Sequence, residues 1–156
     1  MSIDKVREHL KKFGADNRII EFAVSSATVE LAAAALGCPG ARIAKSITFK
    51  NDDKAILVVA AGDAKIDNPK FKACFGIKAK MLTAEEVEKL VGHSVGGVCP
   101  FGVRDTVDVY LDESLRRFDT VYPACGSSNS AIELNLEELE EYSGSSRWVD
   151  VCKNWE

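Results

Sequence analysis

The chain has 156 residues and a net charge of −4, with 46% hydrophobic and 28% charged residues. This composition is ordinary for a soluble globular protein, the length suits one domain spanning 1–156, and the acidic total argues against a broadly basic surface that coats nucleic acid. No run of about 18 apolar residues offers a membrane span, and five cysteines at wide spacing, with only His9 and His93 as imidazoles and no Cys-x-x-Cys, give neither a zinc signature nor a disulfide framework, so reduced thiols in a cytoplasmic protein are expected.

Ser2 can cap a first helix whose stripe is Ile3, Val6, Leu10 and Phe13, with Gly14 as its stop; it is amphipathic and charged, unlike a signal peptide. Glu21–Val24 reads as a short strand. Ser25, Ser26 and Thr28 are candidate caps for a helix over Val29–Leu36 that ends at Gly37. After the turn Cys38-Pro39-Gly40, residues 41–50 alternate as a strand, which puts Ile43, Lys45, Ile47 and Phe49 on one face and Arg42, Ala44, Ser46, Thr48 and Lys50 on the other. Ala55–Ala61 is continuously apolar and reads as a central strand, ended by Gly62-Asp63. Pro69 opens a short helix ending near Gly76, and Thr83-Ala84-Glu85-Glu86 is a capping box for a helix running to Val91.

The stretch 92–102 holds four glycines and a proline and reads as an irregular loop. Strands are expected at Thr106–Leu111, Asp119–Cys125 and Ser130–Leu134. Asn135 caps a helix over Leu136–Tyr142, and an edge strand at Trp148–Val151 follows a Ser/Gly turn at 143–146. Strands outnumber helices without strict alternation, so the expected class is α+β, with a mixed, barrel-like sheet and flanking helices.

Three places can carry chemistry. Lys45 stands in the middle of an apolar face, and an ammonium removed from water needs a partner or its pKa falls. A functional lysine, a bulge, a snorkelling stem and a structural ion pair all fit that pattern. The loops Gly96–Gly102 and Gly126–Ser130 can aim backbone N–H groups at a ligand, or can be plain connections. Cys99 is a potential nucleophile, but nothing in the sequence lowers its pKa and a packing role is preferred. Asp63 either holds Lys45 or only turns the chain. The two basic groups, Lys5 to Lys12 and Lys65 to Lys80, read as solvated faces with room for a local basic mouth.

Taken in order, Arg42-Ile43-Ala44-Lys45-Ser46, Ala61-Gly62-Asp63, Gly96-Gly97-Val98-Cys99-Pro100-Phe101-Gly102, Val109-Tyr110-Leu111-Asp112 and Ala124-Cys125-Gly126 resemble the YbaK / prolyl-tRNA-synthetase-associated editing domain family over roughly residues 20–152. The resemblance implies a compact α/β body around a barrel-like sheet. It also implies hydrolysis of the ester of a mischarged tRNA, often alanine or cysteine on tRNA(Pro), with no metal or organic cofactor. The implied partners are the 3′ acceptor end of aminoacyl-tRNA and an aminoacyl-tRNA synthetase. The family lysine falls on Lys45, its Gly-x-x-x-Pro loop on Gly96–Pro100, and a later glycine on Gly126. Glu21–Thr28 lacks a His/Pro stretch found in some members, and Cys99 stands where a serine or another small residue is expected.

An aminoacyl ester is already activated, so positioning and oxyanion stabilisation suffice for its hydrolysis. Lys45 then supplies positive charge near the ester or the terminal ribose phosphate. Backbone groups of Gly96, Gly97, Val98, Cys99 and Pro100, with Gly126 and Ser127, form the pocket, and water attacks. Val24, Phe49 and Cys99 are offered for the amino-acid wall. A non-catalytic module that binds a tRNA end, a nucleotide or an amino acid is the alternative, and a thiol or metal protein is a third reading that the cysteine spacing disfavours.

Overall fold

The computed structural model describes residues 2–145 and 147–155. The side chain of Ser2, and with it the expected first cap, lies outside the described residues, as does Ser146 of the expected turn. Helix α1 (Ser2–Lys11) buries Val6 and Leu10. It ends two residues before Phe13, and the chain turns through Gly14 at φ +68°. A two-residue strand, β1 (Ile20–Glu21), is shorter than expected because residues 22–28 leave the sheet as a strap. Thr28 caps α2 (Val29–Leu36) by accepting the Leu31 N–H at 3.1 Å, and Gly37 closes it.

Strand β2 (Ile43–Asn51) and strand β3 (Lys54–Ala61) form a hairpin in which Ala44 faces Ala61 and Asn51 faces Lys54. The start of the expected strand is a 3-10 turn at Gly40–Arg42. Ala55–Ala61 is buried throughout, as its unbroken apolar run requires of a central strand. A further short strand, β4 (Lys65–Ile66), was not expected. Asp67 caps α3 (Asn68–Phe75). The Thr83 capping box forms, but its helix α4 (Ala84–Glu86) continues only as a π turn over Val87–Val91.

Parallel to β3 runs β5 (Val107–Asp112), followed by a 3-10 turn and β6 (Thr120–Pro123). The expected strand at 130–134 is split: β7 (Ser130–Ala131) pairs with β1, and β8 (Leu134–Asn135) pairs with β6. Asn135 forms a capping box for α5 (Leu136–Ser143). The edge strand β9 (Arg147–Val149) is followed by β10 (Cys152–Lys153), which pairs with β4.

The main sheet has the order β8-β6-β2-β3-β5-β9, with antiparallel β2–β3 and β6–β8 pairs and parallel β2–β6, β3–β5 and β5–β9 pairs. It curls into a half-barrel flanked by helices, which is the expected α+β class. One face is closed by α3 through a ladder of rings, Phe49–Phe71–Phe75–Tyr110, with centroids 4.5 to 4.9 Å apart. Each fully buried Phe here stabilises by roughly 1.5–3 kcal/mol. On another flank, Phe13, in the turn just beyond α1, stacks on Tyr142 of α5 at 4.6 Å.

Candidate functional site

On one edge β2 is paired by β3 from Ala44 to Asn51; on the other, among the described residues, it is paired at its two ends. β6 lies beside Ile43 and Ala44 and then departs, and Ala124 bridges to Ala131 instead. At the far end the segment 80–82 takes over. Lys50 N–H donates to the Lys80 carbonyl at 2.8 Å, Leu82 N–H donates to the Thr48 carbonyl at 3.2 Å, and Phe49 stands opposite Met81. Between these two ladders the edge at Lys45–Ile47 has no neighbouring strand among the described residues.

A cavity of about 280 Å³ occupies the gap. Its wall is mostly apolar, with Ala32, Ile43, Ile47, Leu82, Val87 and Val98 among the lining residues. The strap crosses it: Phe22 N–H donates to the Asn129 carbonyl at 2.7 Å and Ser26 N–H to the Ser128 carbonyl at 2.6 Å, so that Ser26, Ala27 and Thr28 form part of the wall. Met81 and Val95 line the cavity and are exposed, giving its mouth an apolar rim. The cavity is at the small end of ligand-site volumes.

Lys45 is half-buried in this wall. Its ammonium donates to the Gly62 carbonyl at 3.3 Å and to the Ala64 carbonyl. An ammonium carries three N–H donors, so one remains for a ligand. Burial is the main cause that draws its pKa below the ordinary 10.5; nearby Cys152 and Asp63 oppose the shift, and Lys65 adds to it. The turn that holds Lys45 depends on glycine, since a Cβ on Gly62 would lie 2.1 Å from the Gly40 carbonyl oxygen. Asp63 does not hold the lysine. It is taken by Arg117, whose guanidinium donates to both carboxylate oxygens at 2.6 and 2.9 Å and draws the Asp63 pKa down.

The two glycine loops meet back to back. A Cβ on Gly97 would lie 2.6 Å from the Gly126 carbonyl carbon and 2.7 Å from the Ser127 nitrogen, while Gly97 N–H donates to the Ser94 carbonyl at 3.0 Å. From the first loop, Gly96 and Val98 reach the cavity wall together with Lys45. Ser127 lies behind the wall, its hydroxyl 2.6 Å from that of Ser130, a lining residue. Pro100 instead lines a separate cavity beside His9. Cys99 is buried beneath the loop, its sulfur 3.6 Å from His93 Nε2, and burial pushes the thiol up to about 12. Burial also lowers the His93 pKa, and His93 Nε2 lies 2.8 Å from the Phe101 carbonyl oxygen.

None of the side chains offered for the amino-acid wall is at this cavity. Val24 is exposed on the strap, and Phe49 points to α3. Ser46, Thr48, Leu82 and Ala131 line it instead. For Ser46 and Thr48 the sequence signal was their place with the small Ala44 on alternate positions of β2, and Leu82 and Ala131 carried none.

Residues 24–142 match the model of the aminoacyl-tRNA editing domain. The uncharacterised protein YwhH of Bacillus subtilis is 55% identical over 157 residues, covering all of both chains. A proline–tRNA ligase of Caldicellulosiruptor bescii is 32% identical over 90 residues, which are 57% of this chain and 15% of the ligase. Among solved structures, one described as a candidate trans-editing enzyme for prolyl tRNA synthetase superposes with a TM-score of 0.87 at 29% identity, covering 97% of each chain. With a family match over most of its length and the same fold in a relative of that kind, the chain belongs to the aminoacyl-tRNA editing domain family.

Proposed function

We propose that the chain is a hydrolase that cleaves the ester joining a small, wrongly attached amino acid to the 3′ end of a tRNA, alanine or cysteine on tRNA(Pro), acting in trans in the cytoplasm. The observation that carries this reading is the Lys45 ammonium, anchored by two turn carbonyls in the wall of a small cavity with one N–H to spare. Water adds to the ester carbonyl carbon and a tetrahedral oxyanion forms. The bond from that carbon to the ribose oxygen then breaks, and the leaving ribose oxygen takes up a proton, giving free amino acid and tRNA. The spare Lys45 N–H donates to an oxygen that gains negative charge on this path, either the oxyanion or the leaving ribose oxygen. A fixed donor of this kind is worth about 3 kcal/mol in a water-poor site.

Further support comes from the cavity and the loop beside it. Cys99 is the thiol within the loop 96–102, and burial that pushes it up to about 12 disfavours it as a nucleophile, which favours water. The cavity has room for an alanyl or cysteinyl group, and size alone discriminates weakly against a larger one, since one methylene of difference is worth only about 1–3 kcal/mol. The apolar rim of Met81 and Val95 offers a surface for the terminal nucleoside. The proposed partners are the acceptor end and a prolyl-tRNA synthetase that supplies the mischarged product.

The test is deacylation of Ala-, Cys-, Ser- and Pro-tRNA(Pro) and of Ala-tRNA(Ala) by the wild type and by Lys45→Ala. Selective loss of one small mischarged ester, abolished in the variant, is expected. A stable complex with aminoacyl-tRNA and no loss of any ester would replace the hydrolase with a binding module.

A further inference from the structure

We infer that the aminoacyl group of the substrate docks as a guest residue in the β-ladder, directly opposite Ser46, using the main chain of β2 as its reading edge. The inference rests on the deacylase reading above and names how that site takes its substrate.

In a strand, the N–H and C=O of one residue point to the same edge, and successive residues alternate. The Thr48 carbonyl and the Lys50 N–H both bond to the segment 80–82, so even-numbered residues of β2 face that edge. Ser46 follows the same parity, and its N–H and C=O therefore face the gap. Ala44, the next even residue, lies beside Pro123 where β6 begins its departure. Ser46 is thus the position in the gap whose main-chain donor and acceptor the sheet leaves unmatched. From Ala44 to Thr48 the strand rises about 13 Å, room for one residue-sized guest with its flanking atoms. The Ser46 hydroxyl is also buried without a hydrogen-bond partner in the structure.

A main-chain pair in a cavity wall calls for partners. An α-aminoacyl ester carries the complementary pair, an ammonium donor and a carbonyl acceptor separated by one Cα, the spacing of a backbone residue. In a hydrogen-bonded antiparallel pair, two facing residues exchange both bonds. The substrate ammonium donates to the Ser46 carbonyl and the ester carbonyl accepts from the Ser46 N–H. When water adds, that ester oxygen becomes the oxyanion, and the bond from Ser46 N–H strengthens as charge develops. A guest so placed lays its side chain on the face shared by Ala44, Ser46 and Thr48, where small residues leave space. In a prolyl ester, the ring adds bulk at the very nitrogen that must approach the strand, so the correct product is disfavoured by the same contact.

Two measurements on the full chain test this. The first compares hydrolysis of alanyl-tRNA with that of propionyl-tRNA, in which hydrogen replaces the α-ammonium and no donor remains, each rate taken relative to the spontaneous hydrolysis of that ester. The expected result is a fall in kcat/KM of about 30-fold or more, because a site built to receive a donor rejects the analogue that lacks it. The second follows the Ser46 amide by 15N NMR during titration with 3′-alanylamino-3′-deoxyadenosine, a stable amide analogue. A downfield shift and about tenfold slower hydrogen exchange at Ser46 are expected, both much reduced with the propionyl analogue. Equal rates for the two esters together with an unmoved Ser46 amide would overturn the docking mode while leaving the deacylase reading intact. A shifted Ser46 amide in a chain that hydrolyses no ester would keep the docking mode and end the deacylase reading.

Discussion

Lys45 costs the fold something. Its ammonium is half-withdrawn from water and, among the described residues, bonds to neutral carbonyls, Gly62 and Ala64, while Asp63 spends its charge on Arg117. Because its folded pKa lies below the unfolded 10.5, protonation favours the unfolded chain. The penalty is complete at pH values below the folded pKa and vanishes as pH rises past 10.5. Lys45→Met should therefore be at least as stable as the wild type to urea at neutral pH, and the gap between the two curves should narrow as pH rises through that window; a variant much less stable at neutral pH would mean that the lysine is structural. Cys99 leads to the opposite expectation. With its thiol buried and pushed up to about 12, it should resist iodoacetamide in the folded chain while the half-buried Cys38 and Cys74 react, and Cys99→Ala should retain deacylation within a few-fold. Rapid labelling of Cys99, or lost turnover in Cys99→Ala without lost stability, would restore it as a nucleophile.

The turn that presents the lysine is held by contacts from three elements. Ser114 Oγ accepts the Ala61 N–H at 3.1 Å at the end of β3. Asp112, fully buried at the end of β5, accepts N–H bonds from Ser114 and Val151, both at 2.9 Å. Val151 in turn accepts from Asp67 N–H at 2.8 Å, which ties in the start of α3. Asp112→Ala leaves two buried donors unpaired and should cost about 3 kcal/mol or more, read as a lower urea midpoint at unchanged slope. Gly62→Ala forces a Cβ to within 2.1 Å of the Gly40 carbonyl oxygen, so the turn must shift. A loss of about 3 kcal/mol and of Lys45-dependent turnover together is expected. Full activity in Gly62→Ala would show that the turn does not position the lysine. Neither arrangement was readable from the chain. Asp112 appeared only as a residue of a family-like stretch, and Gly62 only as the end of a strand and a member of another such stretch, because close approach of two backbones leaves no periodic trace.

Across the molecule, what could be read from sequence was what local physics decides. The buried run 55–61, the Thr28, Thr83 and Asn135 caps and the Gly37 and Gly76 stops all form where propensity and patterning point. What could not be read depends on partners far along the chain. The stretch 130–134 looks like one strand but serves two different neighbours, and the strap 22–28 carries strand-like residues whose hydrogen bonds go to the loop at 128–129. Lys45 stood out because a charge interrupts an apolar face. The gap beside it stayed hidden because it arises from where β6 stops and the segment 80–82 begins. The measurement that bears most directly on this site is single-turnover decay of alanyl-tRNA(Pro) and prolyl-tRNA(Pro) with wild type and Lys45→Ala in parallel. Hydrolysis of the alanyl ester at least about 100-fold faster with wild type than with the variant, with the prolyl ester decaying at its spontaneous rate, is the expected result. Spontaneous decay of both esters with wild type, or equal hydrolysis with and without Lys45, would contradict it.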